Sequence, residues 1–276
     1  RIPIAIVVWV FLIGTSVLPV GLLIAQSLQI KPGVYALDNY TLQFWVGKEG
    51  AMRGILVDPR VHSAIWNSLR LALGVSVIAT IVGMLISYTI VKGKGTRLSR
   101  IIEQLSLMPY LIPGIAFGAI YLTMWAEPRG PLPALYGTFY LMLLAAIVNR
   151  LPFSVRSGVT AMSQMGAPLE EAAEVHGAGF VTRLRKVLFP LSKNGIISGF
   201  VLSFISTIKD LSLVVLLVTP GMMLLTTITL SYVETGLQQY ADAIAVLMVF
   251  LVLGITGLAK WVTKIDPVTG FGGDSQ

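Results

Sequence analysis

Long apolar stretches, separated by short polar segments, dominate the sequence. Six stretches approach or exceed the roughly 20 residues that a helix needs to cross a hydrocarbon core. Barrel strands would alternate apolar and polar residues, whereas these runs are continuous. Because bare backbone polar groups are costly in lipid, the runs predict an all-α membrane protein with six transmembrane helices. The predicted spans cover residues 4–28, 65–91, 101–125, 132–148, 196–218 and 244–262.

The third and fifth predicted spans contain residues that are unusual in a membrane helix. Pro109 and Pro113 interrupt the third span and should kink it. Lys209 and Asp210 lie deep in the fifth span, where charges are costly and usually face a bundle interior or a wet cavity. We predict that at least one of them, with Ser206, lines a translocation pathway. Two alternatives remain: an interhelical pair that only holds the bundle together, and a helix partly outside the hydrocarbon.

Small residues form a stripe along the same fifth span. Gly195, Gly199, Ser203 and Ser206 follow one another at steps of about one helical turn. Small side chains at this spacing let two membrane helices approach closely. The stripe therefore predicts a helix-packing face, with a substrate groove as the alternative.

The composition supports a lipid-embedded protein. Of the 276 residues, 55% are hydrophobic and 12% are charged, whereas soluble domains are about 25% charged. The mean hydropathy is +0.82. The absence of cysteine excludes disulfides, thiolate metal sites and cysteine nucleophiles. In such a chain the net charge of +7 is better explained by membrane orientation than by nucleic-acid binding.

Most basic residues fall on the side of the predicted bundle that holds both termini. The positive-inside rule then places the termini and the loop between the fourth and fifth spans in the cytoplasm. The longest loop on the opposite side, residues 29–61, is expected to be partly ordered and is a candidate docking surface. The basic residues assigned to the cytoplasmic side are Arg1, Lys92, Lys94, Arg97, Arg100, Arg150, Arg156, Arg183, Arg185, Lys186, Lys193, Lys260 and Lys264.

The segment "MGAPLEEAAEVHGAGFVTRLRKVLFPL" is the most polar part of the fourth loop. Glu170 and Glu171 fall in the first turn of a predicted helix, where its dipole favours anions. Ala172 and Ala173 are strong helix formers with very small side chains, and Gly177 can end the helix. The pattern predicts a short helix with one face flat enough to enter a groove. An ordinary amphipathic surface helix is the alternative.

The whole segment closely resembles the EAA signature of the permeases of ABC importers. Their pattern is EAA, three residues, G, nine residues and I-x-L-P. Here Val187 and Phe189 replace the Ile and Leu before Pro190. "WNSLRLALG" and "MPYLIPGIAFG" also resemble family members, so the resemblance covers about residues 65–262. It implies the type I importer fold, in one transmembrane domain (1–276) with a core at about 62–262 and a coupling loop at about 149–193.

The resemblance also implies partners. In that family the EAA helix docks in a groove on a separate ATPase, and this role carries over to Glu170, Glu171, Ala172, Ala173, Gly177 and Pro190. The expected assembly comprises an ATPase dimer that binds ATP and Mg²⁺, a second permease half (the same or a homologous chain) and an extracytoplasmic solute-binding protein. The expected location is a bacterial or archaeal cytoplasmic membrane.

Catalytic and metal-binding patterns are not found in the sequence itself. A phosphate-binding loop needs Gly, four residues and Gly-Lys-Ser/Thr, and neither glycine–lysine pair, at 47–48 and 93–94, has that frame. The nucleotide site is therefore expected on another chain. We interpret His62 and His176 as isolated polar residues.

The substrate is less well specified. "TIKDLSLVVLLVTPG" with the following "LLTTITL" resembles permeases for ferric iron, which belong to a group that includes polyamine, thiamine and phosphonate importers. Many iron permeases contain two six-span halves, so this chain is one such half or a stand-alone subunit. A secondary transporter or channel is the alternative from another class. Clustered intramembrane carboxylates would favour it, but only Asp210 lies well inside a predicted span.

Overall fold

The structure, a computed structural model, describes residues 2–48, 52–131, 133–164 and 172–263. Within these ranges the chain is helical, and β structure is limited to an isolated antiparallel bridge between Gln29 and Tyr40. The predicted all-α class is confirmed. The helices are α1 (Ile2–Leu12), α2 (Leu18–Gln26), α3 (Gln43–Val46), α4 (Pro59–Lys92), α5 (Arg97–Leu111), α6 (Gly114–Trp125), α7 (Phe139–Ser163), α8 (Phe180–Arg183), α9 (Phe189–Leu191), α10 (Lys193–Ile208), α11 (Leu225–Glu234) and α12 (Gln238–Thr263).

Four continuous segments are long and apolar enough to cross a membrane. They are Pro3–Gln26, Pro59–Lys92, Phe139–Ser163 and Gln238–Trp261. Two bent helix pairs raise the possible total to six spans. Arg97–Leu111 and Gly114–Trp125 meet at 103°, and Phe180–Leu191 and Lys193–Ile208 meet at 77°. The first bend lies at Ile112 and Pro113 and breaks the third span, as expected for Pro113, whereas Pro109 lies inside α5, which continues to Leu111.

The predicted end of the fifth span is wrong. The helix was expected to continue to residue 218, but α10 ends at Ile208. Lys209 and Asp210 therefore follow the helix instead of lying within it. Asp210 Oδ1 accepts a hydrogen bond from the backbone N–H of Leu213 at 3.2 Å. Aspartate side chains compete in this way with helical backbone hydrogen bonds, which explains why the apolar run from 211 to 218 does not continue the helix.

The predicted end of the fourth span is also wrong. α7 begins at Phe139 and continues through Pro152 to Ser163. Arg150 and Arg156, which were assigned to the following loop, both lie within α7. The loop that carries the EAA-like sequence consequently begins after residue 163 and not at 149.

The chain divides into two compact units. The first consists of Arg1–Ser68 and Pro220–Val252. Its core includes Phe44 from α3, whose ring contacts Tyr240 edge to face with centroids 5.2 Å apart. Ile55 is fully buried in the same core. The described part of the predicted 29–61 loop is thus ordered by packing against apolar side chains.

The second unit consists of Leu69–Thr219 and Leu253–Gln276. Within it, α7 and α10 pack closely through small residues. A Cβ added at Gly199 would lie 3.2 Å from Ser154 Cα, and one at Gly195 would lie 2.7 Å from the Ser157 carbonyl oxygen. The hydroxyls of Ser154 and Ser203 are 3.1 Å apart. The predicted packing role is confirmed for Gly195, Gly199 and Ser203.

Candidate coupling segment and translocation site

The described part of the EAA-like segment begins with a helical turn at 172–175. Gly177 ends it with a left-handed φ of +79°. The Gly177 N–H donates to the Glu174 carbonyl at 2.8 Å, and the Ala178 N–H donates to the Ala173 carbonyl at 3.0 Å. These two bonds define a Schellman cap, which confirms that glycine ends this helix. Glu170 and Glu171 lie outside the described residues.

Two side-chain contacts fix the position of this turn. Glu174 forms an ion pair with Arg183 at the end of α8. At the start of α8, Phe180 packs against Tyr88 of α4, with ring centroids 5.4 Å apart. Pro190 lies in α9, and the 77° bend follows it at Ser192. The turn is therefore linked to α8 by the ion pair, and α8 is linked to α4 by the ring contact.

The same segment exposes apolar side chains. Val175 is 85% exposed and Val181 is 70% exposed, and Ala172 is exposed beside them. Exposed apolar residues that cluster in a polar loop are typical of a surface that contacts another protein. His176 does not add chemistry here, because its Nδ1 lies 2.7 Å from the Ala172 carbonyl oxygen.

A buried ion pair joins α7 to the segment that follows α10. Arg150, near the middle of α7, contacts the Asp210 carboxylate through its guanidinium. Their side chains are 13% and 11% exposed, respectively. Buried ion pairs are stable when further hydrogen bonds satisfy the charges, and the Leu213 N–H supplies one to Asp210. The sequence left open that Asp210 forms an ion pair with another helix, and in the structure its partner is Arg150 of α7.

A polar cavity of about 310 Å³ adjoins this ion pair. On one side lies the break between α5 and α6, and on the other lie α7 and the start of the post-α10 segment. A Cβ added at Gly114 would lie 3.0 Å from Ser212 Cβ, so glycine allows these two walls to approach. The lining residues are Pro109, Tyr110, Ile112, Pro113, Gly114, Asn149, Arg150, Asp210 and Ser212.

The structure places the three predicted pathway residues differently. Asp210 lines the cavity, whereas the side chain of Lys209 is exposed and Ser206 is half-buried on α10, and neither borders the cavity. Sequence reasoning missed Asn149, Arg150 and Ser212. The available signal was that no helix-ending residue separates "AAIVNRLPFSV" from the preceding apolar run, so Arg150 could have been placed inside a longer helix.

The described residues provide no metal centre. Across 2–48, 52–131, 133–164 and 172–263, no group of three or more His, Asp or Glu side chains could hold a metal ion. His62 Nε2 lies 2.9 Å from the Leu56 carbonyl oxygen, which accounts for its polar atom locally.

The four continuous apolar segments and the two bent helix pairs indicate a multi-pass membrane protein. Residues 77–265 match the family model described as binding-protein-dependent transport system inner membrane component. The chain belongs to this family.

Curated relatives come from several transport systems. The chain is 23% identical over 226 residues to the ferric transport system permease protein FbpB of Actinobacillus pleuropneumoniae, covering 82% of the chain and 31% of that protein. It thus spans about a third of that relative. It is 25% identical to the spermidine/putrescine permease PotC of Haemophilus influenzae, covering 75% and 78%. It is 22% identical to a Salmonella choleraesuis protein named for 2-aminoethylphosphonate transport, PhnV, covering 89% of each.

Solved structures share the fold. A bacterial ABC transporter involved in the import of the acidic polysaccharide alginate matches with a TM-score of 0.72 and 14% identity, covering 95% of this chain and 94% of that chain. The MetNI methionine ABC transporter in an inward-facing conformation matches with a TM-score of 0.59 and 18% identity, covering 73% and 93%. The type I importer permease fold is therefore confirmed.

Proposed function

We propose that this chain is the permease subunit of an ATP-driven ABC importer, which forms the substrate pathway and is powered by a separate ATPase. The observation that carries the proposal is the exposed, Schellman-capped turn at 172–177 in a chain that belongs to the family. A short turn with small and apolar exposed side chains has the shape and chemistry of a docking element. Glu174 of the turn pairs with Arg183 of α8, and Phe180 of α8 packs against Tyr88 of α4, so these contacts can transmit a push from a partner to the membrane helices.

The coupling surface in this proposal comprises Glu170, Glu171, Ala172, Ala173 and Gly177, with Pro190 at the following bend. The two glutamates, which lie outside the described residues, would meet basic groups on an ATPase dimer that carries ATP and Mg²⁺. A second permease half completes the pathway, and an external solute-binding protein delivers the substrate. The termini and the coupling surface face the cytoplasm, as the distribution of basic residues favours.

The pathway in this proposal passes the cavity beside Arg150 and Asp210. A break in a membrane helix exposes backbone polar groups, and such breaks are tolerated where they line a cavity. The break at Ile112–Pro113 lines this cavity, which supports a pathway role for it. Lys209 and Ser206, which lie close to Asp210 in the sequence, are further candidate pathway residues in this proposal.

Ferric iron is the first candidate substrate, because the sequence around residues 207–221 resembles ferric permeases and because FbpB is a relative. Polyamine and phosphonate import are alternatives supported by PotC and PhnV, and thiamine import remains from the resemblance alone. A secondary transporter or channel, which would need no ATPase, is the alternative of another class.

The coupling role can be tested with a charge placed on the exposed turn. Val175→Asp should abolish co-purification of the ATPase and reduce ATP-dependent uptake by at least about tenfold, because it buries a carboxylate in an apolar contact. Leu37→Asp is the matched control for co-purification of the ATPase, since Leu37 is 95% exposed in the other compact unit. Glu171→Lys provides a second variant. Intact ATPase binding and coupled uptake in both coupling variants would disprove the role, and uptake without any ATPase would favour the other class.

A further inference from the structure

The cavity beside α7 is small and polar, and only some of the hydrogen-bonding groups in its lining have a partner among the described residues. At about 310 Å³ it lies at the lower end of the range for ligand pockets, so it suits a small solute rather than a polymer. Its charged lining residues are Arg150 and Asp210. What such a site can bind depends on which of its donors and acceptors are already engaged within the protein.

Both oxygens of the Asp210 carboxylate, the anionic acceptor in the lining, are engaged. Asp210 Oδ2 accepts from the Arg150 guanidinium, and Asp210 Oδ1 accepts from the Leu213 N–H at 3.2 Å. A cationic ligand would have to compete with both donors for this carboxylate. Such competition is unfavourable because the guanidinium would lose its counterion in a mostly buried position.

The donors are not all engaged. Arg150 Nε is buried and makes no hydrogen bond with any residue that the structure describes. Asn149 is only 8% exposed, lines the cavity and makes no side-chain hydrogen bond within the described ranges. A buried donor without an acceptor costs about 1–3 kcal/mol. Asn149 therefore offers an amide donor to the cavity, and the adjacent Arg150 lines the same cavity with its positive charge.

The opposite wall adds positive potential. α6 begins at Gly114 in the cavity lining, and its first backbone N–H groups precede the first helical hydrogen bond, from Phe117 N–H to the Pro113 carbonyl at 2.9 Å. Helix N-termini attract anions through these N–H groups and through the helix dipole. Arg150, Asn149 and the α6 N-terminus thus favour the same kind of ligand from two sides.

We propose that this cavity binds an oxyanionic group of the transported solute, a phosphonate, phosphate or carboxylate, with Arg150 and Asn149 as its donors. Asp210 is the counterion that orients Arg150. The inference rests on the proposed function, and it narrows the substrate class. A polyamine or a bare metal cation does not match this site. Ferric iron matches it only as a complex whose ligands present oxyanions.

Equilibrium binding to the full chain in lipid nanodiscs tests the site. The probes are 2-aminoethylphosphonate, ferric citrate with citrate alone as its reference, and spermidine, measured by titration calorimetry. We expect the wild-type chain to bind at least one oxyanionic probe and not spermidine. Whichever of 2-aminoethylphosphonate and ferric citrate binds more tightly identifies the source of the oxyanion.

Three variants separate this site from general anion binding. Asn149→Leu should weaken oxyanion binding about tenfold or more without loss of thermal stability, because the amide has no partner within the described chain. Arg150→Lys should weaken it comparably, since the ammonium lacks the planar fork. Asp210→Asn should tighten it several-fold by removing the competing carboxylate. Asn194→Leu, exposed on α10, is the matched control and should leave binding unchanged.

The inference is overturned if spermidine binds and oxyanions do not, if no probe binds, or if Asn149→Leu and Arg150→Lys leave oxyanion binding intact. Stimulation of the ATPase by the loaded binding protein, measured on the same preparations, reports on the proposed function separately. Intact stimulation combined with absent oxyanion binding would reject the site and retain the importer. Loss of this stimulation, combined with oxyanion binding that depends on Asn149 and Arg150, would reject the importer function and retain the binding site.

Discussion

Arg150 in α7 and Asp210, just beyond the end of α10, form an ion pair across 60 residues of sequence. The pair ties the non-helical segment after α10 to the middle of a membrane helix. It also explains why a strongly apolar run is not a continuous helix, since Asp210 uses its second oxygen to accept from the Leu213 N–H. The ion pair thus lies next to the end of α10, and both of its residues line the polar cavity and carry its charges.

The ion pair predicts a specific stability pattern. Asp210→Ala would leave Arg150 largely buried and without its counterion, which should lower the free energy of unfolding by about 3 kcal/mol. The double replacement Arg150→Met with Asp210→Leu should recover most of this loss, because apolar residues of similar volume avoid the cost of burying charge. Unfolding in mixed detergent micelles would measure both. Equal stability of the single and double variants would contradict a buried, mutually dependent pair.

The position of Gly118 makes a second prediction. A Cβ at Gly118 of α6 would lie 2.5 Å from the Leu213 carbonyl oxygen, a backbone atom that cannot move aside easily. Gly118→Ala should therefore destabilise the protein by about 1–3 kcal/mol through overpacking. Gly254→Ala is the matched control, because nothing lies within 4 Å of its added Cβ. In thermal unfolding the Gly254 variant should be at least as stable as the parent, as alanine favours helices.

The helical type of the elements could be predicted from the sequence, because membrane spans follow from local composition. Among the described residues the predicted runs coincide with four continuous spans and two bent helix pairs, and Pro113 marks the break in the third run. The two errors at helix ends differ in kind. The continuation of α7 past Arg150 could have been predicted, since no helix-ending residue follows the apolar run there. The end of α10 at Ile208 lies beside the contact of Asp210 with Arg150, which no local pattern reveals.

The candidate site divides in the same way. The coupling segment could be predicted because its helix end depends on a local residue, Gly177, whose left-handed conformation is a property of glycine. The cavity could not be predicted, because Asn149, Ser212 and Gly114 come from three separate segments. Their proximity follows from packing, and the only local signal in the sequence is the proline at the Ile112–Pro113 break.

Asp58 at the start of α4 makes a third prediction. It precedes Pro59, accepts from the Arg60 N–H at 2.8 Å and pairs with the Arg60 side chain. Burial opposes its ionisation, but the hydrogen bonds from Arg60 outweigh this and hold the pKa of Asp58 below its ordinary value. The stabilisation is therefore complete above the ordinary carboxyl pKa of about 3.9, and it is lost as the pH falls through the lower folded-state value.

Two variants at this position separate the cap from the charge. Asp58→Ala should cost about 1 kcal/mol at neutral pH, because it removes the helix cap. Asp58→Asn keeps a capping oxygen and loses only an ion pair with an exposed partner, so its cost at neutral pH should be small. The Asn variant should also lose less stability than the parent below about pH 4. Identical acid profiles for the parent and Asp58→Asn, measured by unfolding across pH, would exclude a charge contribution.

The glycines of the coupling segment give the last prediction. Gly177 has a φ of +79°, whereas Gly179 has a φ of −64°, and nothing lies within 4 Å of an added Cβ at either position. Alanine at 177 must therefore pay for a left-handed backbone, about 1 kcal/mol, or release the Schellman cap. Gly177→Ala should reduce the ATP hydrolysis that transport requires, while Gly179→Ala should not. Because both substitutions add one methyl group to the same loop, equal effects on coupled hydrolysis would show that added bulk, and not the capped geometry of the turn, is responsible.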